Sequence, residues 1–422
     1  MNEIRKKLPQ KERFSTPIYL GATAGMRLLQ MVKPERSQLL MEATRISLSS
    51  SGLSLQRCEI ITGHEEGIDG WITVNFLQEI LYDDDVDIPG KFPPKRKTYG
   101  AMDMGGASTQ ITFEVTEGTP IADPKDEANL RLFGHSYRIF SRSFTCFGIN
   151  ESHRRYLALL YAKSTPGVAI SDPCGNAGRV SNVSVSWLFD SPCTQGLQST
   201  TLAETSETVP IVGAWNETEC SATIDELLSA EECNKYSNFC FNSSTVPPRI
   251  EGTSFIAFSI FYYAASELGL PSSVSEETFY EAALELCSRT YQTMSDLYAG
   301  KAGEKIEHVF CFEAFLIYKI LRDNYGMGGE EFKLIEFRRK LPTPNGTDVG
   351  WALGFMINAT NALPEDKPGP PMSSTLFSFL VFVFVGLSTC GSFMAYHSWI
   401  LCRRRRVYAE YQRLNEPGVR NA

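Results

Sequence analysis

The sequence is poor in histidine, with 5 in 422 residues, and has no Cys-X-X-Cys pair or Cys/His cluster of zinc-binding spacing. That excludes zinc as its organising chemistry. It also lacks the Gly-X-X-X-X-Gly-Lys-Ser/Thr phosphate loop, which excludes that family of nucleotide folds. With a net charge of −9 there is no cationic excess to match a nucleic-acid backbone, so nucleic acid is excluded as the main partner. No long polar tract and no repeat of solenoid period appears, which excludes a mainly disordered chain and a repeat array. Residues 1–17 carry five basic and two acidic side chains and no apolar run, so no signal peptide is read there. What remains is a chain 43% hydrophobic and 21% charged, long enough for two lobes around a sizeable core.

One long uncharged run stands out. Leu376 to Cys402 contains no Asp, Glu, Lys or Arg and exceeds the roughly 20 residues that cross a bilayer, so it predicts a transmembrane helix. Arg403, Arg404, Arg405 and Arg406 follow at once, which places 403–422 in the cytoplasm and residues 1 to about 370 outside or in a lumen. Six Asn-X-Ser/Thr sequons, at Asn150, Asn182, Asn216, Asn242, Asn345 and Asn358, all precede the span, as glycosylation would require. Nine cysteines precede it too. Eight of them, Cys146, Cys174, Cys193, Cys220, Cys233, Cys240, Cys287 and Cys311, suit an oxidising compartment, and Cys58 is left over. Cys390 and Cys402 belong to the span; Cys402 beside the arginines is either a palmitoylation site or an inert thiol. Sequons and paired cysteines without a leader are inconsistent, because tail anchoring alone would leave them in a reducing cytosol.

Along the chain, Ile18–Leu20 reads as a β run, followed by a Gly-Ala-Thr-Ala-Gly turn and a helix opening at Met26. Residues 34–53 read as helix, 59–63 as strand and turn, and about 69–81 as a further helix. Tyr99–Met104 and Thr109–Val115 flank Gly105-Gly106 and predict a hairpin. Residues 165–250 are loop-rich by composition, 253–300 and 305–335 carry helical apolar spacing, and Pro364–Pro371 forms a stalk.

Two short segments carry chemistry. In Asp103-Met104-Gly105-Gly106-Ala107-Ser108-Thr109-Gln110 a glycine pair lets backbone N–H groups approach an anion, and Asp103 can hold a hydrated divalent cation. An ordinary Gly-Gly hairpin turn fits the same pattern. Glu65-Glu66-Gly67 pairs two carboxylates, which raises one pKa and supplies a base for water; equally, acidic side chains suit a helix N-terminus.

Taken together and in order, Tyr19–Leu29, Glu65–Asn75, Asp103–Gln110 and Gly350–Met356 resemble the second to fifth apyrase motifs of the cell-surface ecto-nucleoside triphosphate diphosphohydrolases. The resemblance covers nearly all of 15–402. It implies an α/β, two-lobed actin/RNase-H-like (ASKHA) fold with a nucleotide in the cleft. It further implies Ca²⁺- or Mg²⁺-dependent hydrolysis of extracellular nucleoside tri- and diphosphates to monophosphates at the plasma membrane. By motif, Glu66 matches the general base, Ser108 and Gln110 match groups orienting the attacking water, and Asp103 matches the carboxylate that binds the metal through water. Gly105, Gly106, Ala107 and Ser108 match a phosphate-cradling loop, with Thr23 near it. Tyr262 or Tyr263, with Tyr325, resemble the pair that sandwiches the nucleobase; core packing is the other reading of Tyr262 and Tyr263. Trp351 is either structural or in direct contact. The implied disulfides are Cys146 with Cys193, Cys174 with Cys220, Cys233 with Cys240 and Cys287 with Cys311.

The resemblance also sets an expected layout: 1–62 as part of lobe I completed by 346–366, 63–345 as lobe II, 367–375 as stalk, 376–402 as the membrane helix and 403–422 as tail. A homo-oligomer through the membrane helix is a further expectation. The family's first motif, Asp-X-Gly-Ser-Ser-X-Thr, occurs nowhere in the sequence. The expectation is therefore a chain shortened at its amino end, with half the phosphate cradle gone and little or no turnover. The other reading is a non-catalytic membrane glycoprotein that associates with full-length subunits.

Overall fold

The computed structural model describes residues 6–81, 95–165, 167–197, 207–234, 240–241, 247–248, 250, 252–299, 310–341, 346–361 and 373–414. It divides into two units, Met1–Ala362 and Leu363–Ala422.

In the first unit, strand β1 (Pro17–Ala22) leads through helices α1 (Ala24–Val32) and α2 (Pro34–Ser49) to β2 (Ser54–Ile60), which pairs with β1 in parallel. Helix α3 (Gly63–Leu77) follows. It starts about two turns before the 69–81 expected from apolar spacing. The reason is local: Thr62 Oγ1 accepts from the Glu65 amide while the Glu65 carboxylate accepts from the Thr62 amide, a reciprocal cap that fixes the first turn.

Strands β3 (Gly100–Met104), β4 (Ser108–Glu114), β5 (Glu127–Leu132) and β6 (His135–Thr145) come next, followed by helix α4 (Ile149–Lys163). Strands β7 (Ile170–Asp172), β8 (Val180–Ser184) and β9 (Thr208–Gly213) form a small sheet in the order β7-β9-β8, inside the region composition marked as loop. Three disulfides tie that region down, Cys146–Cys193, Cys174–Cys220 and Cys233–Cys240, and Cys287–Cys311 is the fourth. These are the pairings the resemblance implied. Cys58 is a free, buried thiol.

The apolar run expected to open a helix at 253 instead forms β10 (Phe255–Ser259), ahead of helix α5 (Ile260–Glu267). Short apolar runs of that length do not distinguish a buried strand from a helix. Helix α6 (Phe310–Lys319), strands β11 (Ile335–Phe337), β12 (Lys340–Leu341) and β13 (Thr347–Asp348), and helix α7 (Trp351–Thr360) follow, beyond further helices at Glu217–Leu228, Glu276–Ser288 and Tyr291–Tyr298.

The main sheet runs β11-β10-β3-β4-β6-β5, parallel in its β11-β10-β3 part and antiparallel beyond. Its central strands are buried on both faces, every residue of β3 and all but the last of β10, as parallel strands covered by helices should be. One face packs on α3, through Trp71, Ile72 and Val74; the larger core lies around Phe113, Phe255, Phe279 and Phe315. Helix α7 packs on α3 at Gly354, where an added Cβ would stand 1.8 Å from the Asp69 carbonyl oxygen. Its amide donates to Thr73 Oγ1 at 2.7 Å. Trp351, opening α7, packs on Gly21 of β1 and edge-on to Phe355.

The second unit is dominated by helix α8 (Ser374–Leu414), 41 residues and so about 60 Å long. Among the described residues it is the one helix long and apolar enough to cross a membrane. Most of the stalk, residues 367–372, and the tail beyond Leu414 lie outside the described residues.

Candidate active site

The first turns of α3, α1 and α4 and the β3–β4 turn converge on a cleft of about 470 Å³, lined among others by Thr23, Glu66, Gly105, Gly106, Ala107 and Ser108. The β3–β4 register sets Asp103 opposite Gln110, so both side chains lie on the same face of the hairpin, close to the turn Gly105–Ala107. The turn closes through the Gly105 amide donating to the Ser108 carbonyl at 2.9 Å.

Helix α4 clamps this turn from behind. Its first amides, Ile149 and Asn150, donate to the carbonyls of Gly105 and Gly106 at 3.0 and 2.9 Å. Those bonds use the loop's acceptors, while the amides of Gly106 and Ala107 have no partner among the described residues. Unpartnered N–H groups on a fixed glycine turn are what an oxyanion requires. The clamp explains Gly148, where a Cβ would meet the Ala107 nitrogen at 2.3 Å.

Glu66 and Glu65 are adjacent in sequence and separate in role. Glu65 is spent on the helix cap; Glu66 turns inward and is 7% exposed. Its Oε2 accepts from Arg27 at 2.8 Å and from Gln110 Nε2 at 3.2 Å. Arg27 also donates to Ser108 Oγ at 3.1 Å, and Gln110 Nε2 lies 2.8 Å from Ser108 Oγ and 3.0 Å from Ser143 Oγ. The three residues expected to handle water are thus one hydrogen-bonded group. Desolvation lifts the Glu66 pKa above the ordinary carboxylate value, while Arg27 pulls it back.

Asp103 is buried, and desolvation pushes its pKa up to about 7; the Ser259 hydroxyl opposes this and the charge of Glu66 adds to it. Among the described residues no basic side chain offsets this carboxylate. Ser259 itself holds φ at +57°, an uncommon value for a residue with a Cβ, at the junction of β10 and α5. Among the described residues no group of three or more His, Cys, Asp or Glu forms a ready metal cage. Asp103 beside oxygen donors, with its charge uncompensated, fits a hard divalent cation held by few protein ligands.

Arg27 and Ser259 are the residues that sequence reasoning missed as site groups. Arg27 lies inside the Tyr19–Leu29 motif, yet it meets its partners across 39 and 81 positions, a separation no local pattern reveals.

The expected nucleobase residues divide. Tyr262 and Tyr263 line a second hollow of about 290 Å³ that shares Gly105 and Gly106 with the cleft, and Tyr263 is 45% exposed. Tyr325 lies elsewhere, in the main core. It is 2% exposed, its hydroxyl lies 3.2 Å from Thr109 Oγ1, and its ring lies against Phe144, so it offers no face for stacking. Of the sequons, Asn150, Asn182, Asn216 and Asn358 are exposed, while Asn242 and Asn345 lie outside the described residues. Asn150 lies on the cleft wall, its amide nitrogen 2.7 Å from where a Gly106 Cβ would be, and Asn358 Nδ2 donates to Asp69 Oδ1 at 3.3 Å.

Residues 1–371 match the GDA1/CD39 (nucleoside phosphatase) family. The chain belongs to that family. It is 34% identical over 400 residues to ectonucleoside triphosphate diphosphohydrolase 1 of Bos taurus, covering 91% of this chain and 74% of the relative. It is 36% identical over 377 residues to ectonucleoside triphosphate diphosphohydrolase 2 of Mus musculus, covering 87% and 72%. Among solved structures, a nucleoside triphosphate hydrolase from Neospora caninum superposes with a TM-score of 0.61 at 17% identity, over 85% of this chain and 75% of that one. At that identity the likeness shows the fold, the mixed α/β actin-like (ASKHA) architecture. As a GDA1/CD39 member the chain is an enzyme of the apyrase type.

Proposed function

We propose that this chain hydrolyses nucleoside tri- and diphosphates to monophosphates outside the cell, by attack of water on the terminal phosphorus. The observation that carries this reading is the buried group Arg27–Glu66–Gln110–Ser108 at the mouth of the Gly105–Ala107 turn. A carboxylate made more basic by desolvation accepts a proton from water, and the Gln110 amide and Ser108 hydroxyl hold that water in line. Arg27 keeps Glu66 ionised and aimed. The turn amides of Gly106 and Ala107 offer hydrogen bonds to the phosphoryl oxygens, which gain charge as the bond to the leaving group lengthens. Asp103, through water, would hold Ca²⁺ or Mg²⁺, which when bound supplies charge neutralisation between phosphate oxygens.

Helix α8 supports a membrane anchor, with Arg403–Arg406 toward the cytoplasm and the glycosylated, disulfide-bonded unit on the other side. The test is expression of the chain behind a signal peptide and measurement of Ca²⁺-dependent phosphate release from ATP and ADP. Release from both, with nucleoside monophosphate accumulating, is the expected result. No release from this chain, nor from one extended through an Asp-X-Gly-Ser-Ser-X-Thr hairpin, would contradict it and favour the non-catalytic reading.

A further inference from the structure

Asn150-Glu151-Ser152 is a glycosylation sequon in the first turn of α4, and its acceptor stands on the wall of the cleft. The clamp on the glycine turn puts it there. The Asn150 backbone amide donates to the Gly106 carbonyl at 2.9 Å, which fixes where the side chain leaves the helix. That side chain lies against Gly106, with Nδ2 2.7 Å and Cγ 3.5 Å from where a Gly106 Cβ would be. Asn150 is exposed, and among the described residues its side-chain amide has no hydrogen-bond partner. The acceptor nitrogen is thus free to carry a substituent.

Glycosylation joins Nδ2 to the anomeric carbon of an oligosaccharyl diphosphate lipid. The C–N bond forms, that carbon's bond to the diphosphate oxygen breaks, and one amide proton leaves with the lipid diphosphate as the other product. Ser152, the third residue of the sequon, is buried in the folded chain, so transfer precedes folding. With a C–N bond of about 1.5 Å, the first sugar begins at most about 4 Å from the Gly106 Cβ position. The free amides of Gly106 and Ala107 belong to the same turn. A sugar stem there crosses the mouth of a cleft of about 470 Å³, with a bulky hydrated chain beyond it.

We propose that an N-glycan on Asn150 closes the phosphate end of the cleft, so that glycosylation at this residue and nucleotide binding exclude each other. The proposal rests on the nucleotide reading above. Occupancy of this one sequon then sets the fraction of molecules able to bind nucleotide. Asn182, Asn216 and Asn358 do not line the cleft, so glycans on them leave it open.

The test uses the full chain, made behind a signal peptide in glycosylating cells and purified in detergent. It is passed with Ca²⁺ over immobilised β,γ-imido ATP, and glycopeptide mass spectrometry reads each sequon in the retained and unretained fractions. The expected result is an Asn150 glycan confined to the unretained fraction, with Asn182 and Asn216 equally occupied in both. Ser152→Ala removes the sequon and leaves Asn150 in place. It should keep the wild-type melting temperature, because among the described residues the buried Ser152 hydroxyl has no partner to lose, and it should move into the retained fraction. Thr218→Ala, which removes the Asn216 sequon on the protein surface, should leave the partition unchanged. An Asn150 glycan equally present in the retained fraction would overturn the proposal, and so would an Asn150 bare in both fractions. Failure of Ser152→Ala to be retained at an unchanged melting temperature would instead contradict the proposed function.

Discussion

Glu313 offers the most quantitative test of how this core is built. It lies on α6, 5% exposed, between Phe312 and Phe315 in the main core. Burial, with the nearby charge of Glu267 as a smaller cause, raises its pKa from 4.5 to about 8. Glu267 is itself engaged, accepting from the Tyr298 hydroxyl at 2.5 Å. The folded chain therefore binds a proton at Glu313 that the unfolded chain releases above pH 4.5. Stability falls as pH rises from about 4.5 to about 8, and the loss is complete above that. At 1.36 kcal/mol per pK unit this is on the order of 5 kcal/mol, a large share of a total that is typically about 5–15 kcal/mol. Glu313→Gln replaces a neutral carboxyl with a neutral amide of the same shape, so it should change little at pH 5 and stabilise increasingly toward pH 9. The assay is urea unfolding of both proteins at pH 5, 7 and 9 with disulfides intact. Other buried acids, Asp69 and Asp103 at about 7 and Asp126 at about 6, tilt both curves equally and cancel in the difference. Parallel pH profiles for the two proteins would refute the reasoning.

Three further outcomes follow from the packing. Arg27→Ala removes the charge that lowers the Glu66 pKa, so the acid limb of the ATP pH–rate profile should move to higher pH; an unmoved limb means Arg27 does not act through Glu66. Gly148→Ala drives a methyl into the Ala107 amide and must shift the turn, so kcat/KM for ATP should fall by roughly 10²-fold while the melting temperature changes less. Gly354→Ala forces α7 off α3 and should cost about 1–3 kcal/mol in urea unfolding, with its partner Thr73→Ala milder.

Much of the site was legible because its chemistry is local in sequence. The Asp103–Gln110 segment is a hairpin whose two ends must face each other, so reading the turn placed Asp103 and Gln110 side by side next to the glycine pair. The paired acids at 65 and 66 were read two ways, and the structure separates them: Glu65 caps the helix and Glu66 turns into the cleft. Long-range packing was not legible. Nothing near Arg27 indicates Ser108, and nothing in Asn324-Tyr325-Gly326 indicates that Phe144 and Phe241 enclose the ring. The apolar run at 255–259 fits strand and helix equally until β3 and β11 flank it.

The central claim is that Glu66 activates water while the turn and hollow bind the nucleotide. The most direct measurement is single-turnover ATP hydrolysis by Glu66→Gln, set beside its affinity for β,γ-imido ATP. A carboxamide keeps the shape and loses the base, so the chemical step should fall about 10²- to 10⁴-fold with affinity within a few-fold of wild type. A single-turnover rate near that of the wild type would contradict the account.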